Sequence, residues 1–91
     1  MEHKTYFDGN VQSLSLKTKI GEATLGVMTP GKYTFSTSKE ETMEVVDGVL
    51  KAKIPGKDWE TFKRHDQFKV PAGESFDVEA VTDVAYICYY K

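Results

Sequence analysis

Turn-forming residues recur along this chain every eight to twelve positions, a spacing that leaves room for short strands and little else. The signals are Asp8-Gly9-Asn10, Gly21, Pro30-Gly31, Asp47-Gly48, Pro55-Gly56-Lys57-Asp58, His65-Asp66, Pro71-Ala72-Gly73 and Thr82-Asp83. Glycine and proline punctuate a chain because one tolerates positive φ and the other fixes φ and lacks an N–H donor. The intervening segments are rich in Val, Thr, Tyr, Phe and Ile, side chains that suit a pleated, half-buried surface. Evenly spaced short strands of this kind describe an all-β sandwich or barrel.

Alternation within the segments agrees. Ala23, Leu25 and Val27 share one parity and Thr24, Gly26 and Met28 the other. Phe76, Val78 and Ala80 alternate with Asp77, Glu79 and Val81, giving an apolar and a largely acidic face. Tyr86, Cys88 and Tyr90 alternate with Ile87 and Tyr89. Asp47-Gly48, between Val45-Val46 and Val49-Leu50, predicts a tight hairpin. Ser38 with Glu41 resembles a helix cap, but the run into Val45-Val46-Asp47-Gly48 favours a strand and turn there. The expected domain is a single one spanning residues 1–91, with a short N-terminal arm over about residues 1–10.

Charge narrows the partners. Fourteen acidic and twelve basic residues give a net charge of -2, and the basic cluster Lys63-Arg64-His65 is followed at once by Asp66. A grip on polymeric nucleic acid needs a basic stripe interleaved with aromatics, so no nucleic-acid partner is expected. The opening residues lack the apolar run of a signal peptide and no segment suits a membrane span, so the expected address is the cytoplasm and no membrane partner is expected. The single cysteine, Cys88, cannot form an internal disulfide, in keeping with a reducing compartment.

Two segments resemble cupin signatures. Glu41 followed six residues later by Gly48 matches the end of the first, and Pro71-Ala72-Gly73 with Phe76 matches the middle of the second. The histidine slots of those signatures fall near Phe35 and Thr37 and at Phe76, so the metal-binding histidines are missing. A longer string is more specific: Tyr6-Phe7-x-Gly9, then Gly26-Val27-Met28-x-x-Gly31-x-Tyr33-Thr34-Phe35-Ser36-Thr37, Glu41-x-Met43, the Pro71 segment and Tyr86-x-Cys88. It is similar to the pyrimidine/purine nucleoside phosphorylase family, small single-domain cupins without the metal-binding histidines. The resemblance implies an RmlC-like jelly-roll β-barrel, a homodimer, and a broad-specificity phosphorylase. Such an enzyme is a metal-independent pentosyltransferase that splits purine and pyrimidine nucleosides with phosphate into base and ribose 1-phosphate.

The chemistry makes modest demands. Glycosidic cleavage passes through an oxocarbenium-like state while negative charge gathers on the leaving base. Phosphate is already an anionic nucleophile, so it serves as co-substrate and no other cofactor is expected. Glu41 is the expected catalytic residue, holding ribose hydroxyls or steadying the cationic sugar. If Glu41 faces inward and no bulge intervenes, Tyr33, Phe35, Thr37, Met43 and Val45 share its parity. Tyr33, Phe35, Thr37, Phe76 and Tyr86 are the expected substrate-binding residues, the aromatics suiting a flat base. Thr34 and Ser36, flanked by Lys32 and Lys39, are the expected phosphate-binding hydroxyls. Cys88 is expected to be a buried small residue and Trp59 to pack at a barrel edge or a dimer contact. His3 and His65 are the only histidines, and Asp77 and Glu79 are expected to face water, so no metal site is expected. The competing reading is a non-catalytic cupin that binds a small molecule such as a sugar or nucleotide; a metal-dependent cupin would need ligands that the pattern lacks.

Overall fold

A computed structural model describes residues 1–91. Ten strands follow in order: β1 His3–Tyr6, β2 Val11–Thr18, β3 Gly21–Met28, β4 Gly31–Ser36, β5 Glu41–Asp47, β6 Leu50–Lys53, β7 Trp59–Phe62, β8 Gln67–Val70, β9 Ser75–Ala80 and β10 Val84–Tyr90. A single 3-10 turn, Phe7–Gly9, follows β1. The strands form two antiparallel sheets, a large one ordered β1-β2-β3-β10-β5-β8 and a small one ordered β4-β9-β6-β7. From β3 onward the chain changes sheet at every connection except β6–β7, so sequence neighbours face one another across the core.

The expectation of an all-β fold is met; the closed barrel is not. The hydrogen-bonded ladder stays open at β1 and β8 in one sheet and at β4 and β7 in the other. Side chains replace the missing ladder between β1 and β4: Phe7 leaves the strand at positive φ and packs on Tyr33 at 5.0 Å and edge-on against Phe35 at 5.7 Å. Residues 3–6, expected within an arm outside the body, thus form an edge strand paired with β2 from His3–Leu14 to Tyr6–Val11.

The core comprises seventeen buried apolar residues, among them Val11, Met28, Val45, Leu50, Val78 and Val84, each fully shielded. The acidic parity of β9 faces out as expected, and Phe76, Val78 and Ala80 face in. On β3 the polarity is inverted at Leu25 and Val27, though not at Ala23, which is buried. Thr24, Gly26 and Met28 turn inward, while Leu25 and Val27, the more apolar parity, are half exposed.

Asp47-Gly48 does not close a hairpin, because β5 and β6 lie in different sheets. Gly48 instead makes a crossing turn at φ +102 that packs on the backbone of Asp83, and Val49 exchanges hydrogen bonds with Thr82 and Val81. A side chain at position 48 would meet both an unfavourable φ and an immovable backbone. Gly48→Ala is therefore expected to cost more than about 2 kcal/mol, combining the strain of positive φ with a steric clash. Denaturant unfolding measures it, and a loss below half that figure would contradict the tight crossing. The two-residue hairpin of the chain lies elsewhere, at Lys19-Ile20 between Thr18 and Gly21.

Candidate functional site

Between the sheets, at the end where β1 and β2 face β4, opens a cleft of about 830 Å³. Its two walls differ in chemistry. Phe7, Phe35 and Phe76 form an aromatic wall, with Phe35 5.7 Å from Phe7 and 5.8 Å from Phe76 between ring centres. The opposite wall belongs to the large sheet, whose inward parity there is polar: Ser13, Thr24, Tyr86, Cys88, Tyr90 and Glu41.

Cross-strand register assembles the second wall. Glu41 starts β5 opposite Tyr90, and Cys88 lies between Thr24 on β3 and Met43 on β5. The Cys88 thiol donates to Glu41 Oε1 at 3.3 Å, and Thr24 Oγ1 and the Tyr90 hydroxyl share a hydrogen bond at 2.9 Å. Glu41 is half-buried, and loss of water raises its pKa above the ordinary 4.5, opposed by the Cys88 hydrogen bond. Burial likewise pushes the Cys88 thiol well above its usual range, the nearby Glu41 carboxylate adding to it, so Cys88 stays a protonated donor. Tyr86 and Tyr90 are held protonated by burial as well.

Four of the expected site residues meet here: Glu41, Phe35, Phe76 and Tyr86 all border the cleft. Tyr33 does not. It lies in the core beneath Phe7, and its hydroxyl donates to Thr29 O at 2.7 Å, tying down the β3–β4 turn. Thr37 is also withdrawn from any ligand, since Oγ1 donates to Pro71 O at 2.6 Å and accepts from Glu74 N at 3.0 Å. Thr37 locks the end of β4 to the turn before β9; it turns inward with Glu41, as the parity count expects, although residues 38–40 carry the chain from one sheet to the other.

Thr34 and Ser36 border the cleft but project from the opposite face of β4 to Phe35. Thr34 donates to Asp77 Oδ1 at 2.7 Å and Ser36 shares a hydrogen bond with Ser75 at 3.2 Å, across the β4–β9 ladder. Strand alternation thus places these hydroxyls outside, away from Glu41. The residues that sequence reasoning missed, Lys4, Phe7, Ser13 and Thr24, come from β1, the turn after it, β2 and β3. The Tyr6-Phe7-x-Gly9 string and the serines at Ser13 and Ser15 were the available signals, but the pairing of β1 with β2 assigns them a wall.

At the positions where cupins carry histidine ligands this chain offers no ligand set. Phe35 and Phe76 pack against each other, and Thr37 is fully engaged by backbone. No three His, Cys, Asp or Glu side chains converge on a point. No helix is long and apolar enough to cross a membrane.

A family model described as pyrimidine/purine nucleoside phosphorylase matches residues 1–90. A curated pyrimidine/purine nucleoside phosphorylase of Pseudomonas putida is 48% identical over 87 residues, covering 94% of this chain and 93% of the relative. Among solved structures, a protein of unknown function from Vibrio parahaemolyticus superposes with a TM-score of 0.94 at 37% identity, over 99% of this chain and 97% of its own. A cupin domain from Schizosaccharomyces pombe superposes with a TM-score of 0.69 at 12% identity, over 89% of this chain and 61% of its own, which makes the fold a cupin fold.

Proposed function

The chain belongs to the pyrimidine/purine nucleoside phosphorylase family, and from that premise we propose that it cleaves varied purine and pyrimidine nucleosides with phosphate, in the cleft between its sheets and without a metal. The observation that supports this reading most is the pairing of an aromatic wall with a single half-buried carboxylate across one cleft. A flat base of either class slots against Phe7, Phe35 and Phe76 by stacking, which discriminates weakly between ring systems. Glu41 then faces the ribose. One carboxylate oxygen is held by Cys88, leaving the other for the sugar.

In the reaction the C1′–N bond breaks and its electron pair leaves with the base nitrogen, which takes up a proton. A phosphate oxygen forms the new C1′–O bond, giving ribose 1-phosphate. Positive charge on the sugar peaks between the two events, and a carboxylate in a partly dried cleft stabilises that charge more than it would in water. A metal-free mechanism is part of the proposal, as is a cytoplasmic address, which the single reduced cysteine supports. The test is release of free base from uridine, inosine and adenosine by pure protein, with and without phosphate. Base release that needs phosphate supports the reading. A nucleoside that raises the melting temperature without turnover would favour the non-catalytic alternative.

The proposal includes a homodimer built on the outer face of the large sheet. Leu14, Leu25 and Val27 are 43%, 48% and 52% exposed there, and register joins Leu14 to Leu25 and Leu25 to Ile87 in one continuous apolar row. Such a patch marks an interface more often than free surface. Trp59, by contrast, lies on the edge strand β7 of the other sheet. Leu25→Glu is expected to give a monomer in sedimentation while leaving the fold intact; an unchanged assembly would move the interface elsewhere.

A further inference from the structure

The polar wall holds two hydroxyls that no protein group satisfies. Ser13 is 6% exposed and Tyr86 5%, and both border the cleft. Thr24, Tyr33, Thr37 and Tyr90 all have their hydroxyls engaged; Ser13 and Tyr86 do not. Neither hydroxyl oxygen is sealed away without a partner; both open onto the cleft and are free to meet a ligand atom there.

The two are neighbours across the large sheet. Lys4 pairs with Ser13, Ser13 with Gly26, and Gly26 with Tyr86, one row running from β1 to β10. Gly26 shapes it: a Cβ there would collide with the ring and hydroxyl carbon of Tyr86, so the ring lies over bare β3 backbone. The Tyr86 hydroxyl is thereby carried from β10 toward β2, where Ser13 stands. Lys4 borders the same cleft and brings an ammonium group. The row continues from Tyr86 to Val45, so it contains no carboxylate, and Glu41 lies two inward positions farther along β5.

We propose that Lys4, Ser13 and Tyr86 form the subsite for inorganic phosphate, replacing the outward-facing Thr34 and Ser36 in that role. It offers a positive charge and O–H donors, the complement of a tetrahedral anion with oxygens to be satisfied, and charge-assisted hydrogen bonds are the stronger kind. A base edge, by contrast, asks for no full positive charge. The subsite lies two inward positions along β5 from Glu41, so the attacking anion and the acid meet different parts of the ribose. The proposal rests on the phosphorylase reading, which supplies phosphate as the ligand.

Two measurements on the full chain test it: titration of phosphate alone followed by 31P line width, and initial rates against phosphate and against nucleoside. Ser13→Ala, Tyr86→Phe and Lys4→Gln are each expected to weaken phosphate binding and raise its KM about fivefold or more, the worth of one hydrogen bond, while the KM for nucleoside stays within about twofold. Gly26→Ala, which displaces the Tyr86 ring without altering the other two residues, is expected to give the same phosphate defect. Unchanged phosphate binding in folded variants, or a rise confined to nucleoside KM, would overturn the subsite while leaving phosphorolysis intact. Wild-type protein that binds phosphate, loses it in the variants, yet never releases base would keep the subsite and sink the phosphorylase reading.

Discussion

Replacing Glu41 with glutamine is expected to lower turnover at least tenfold, about 1.4 kcal/mol of transition-state stabilisation, and at the same time to raise stability at neutral pH. Both effects follow from one location. The carboxylate is half-buried, and burial raises its pKa above 4.5, so the folded protein holds the proton more tightly than the unfolded chain does. The stability that this contributes is fully present below the unfolded value of about 4.5 and is lost as pH rises through the elevated folded value. At neutral pH the native fold therefore carries a charge it would hold more cheaply in water. Glutamine removes that charge and keeps an oxygen to accept from Cys88. Melting curves should put Glu41→Gln above wild type at pH 7, the gap closing toward pH 4. Turnover of the wild type should rise with pH through the same elevated pKa, because the ionised form steadies the cationic sugar. A variant that loses activity while gaining stability identifies a group kept for chemistry; equal kinetics would remove Glu41 from the site.

The largest effect on stability is expected at the aromatic wall. Phe76 is 2% exposed and touches Phe35 at 5.8 Å and Phe68 at 6.3 Å between ring centres, so Phe76→Ala should cost about 3–5 kcal/mol through lost burial and a cavity in the core. Phe35 is only partly buried, bridging Phe7 and Phe76 at the cleft surface. Phe35→Ala should cost less stability and instead raise the KM for nucleoside, since it removes the middle of the stacking wall. Chemical denaturation and steady-state kinetics on the pair separate the two roles. Equal stability losses with unaltered nucleoside KM would make the wall plain core.

Much of this was legible in the chain. Turn spacing predicted the strands, and alternation on β9 and β10 correctly pointed Phe76, Tyr86 and Cys88 inward. Glu41 stands in a cupin-like segment, and it lines the cleft. What failed has physical causes. Tyr33 and Thr37 do share the inward parity of Glu41, but inward is not the same as lining the cleft: Tyr33 is packed in the core and Thr37 is bound to the backbone of Pro71 and Glu74. Thr34 and Ser36 were chosen for their hydroxyls, yet alternation with Phe35 sends them outward. On β3 Leu25 and Val27 turn outward, and hydrophobicity alone does not say which face of a strand meets the core. Lys4, Phe7 and Ser13 carry no positional signal in the sequence, since only the long-range pairing of β1 with β2, and the packing of Phe7 on β4, bring them to the cleft.

The central claim is that phosphate, not water, attacks the sugar held between the two walls. The most direct measurement follows inosine and uridine turnover by 31P NMR in phosphate buffer, counting ribose 1-phosphate against free base. The account predicts one ribose 1-phosphate for each base released, and a matching loss of inorganic phosphate. Free ribose appearing with the phosphate signal unchanged, or no base released at all, would contradict it.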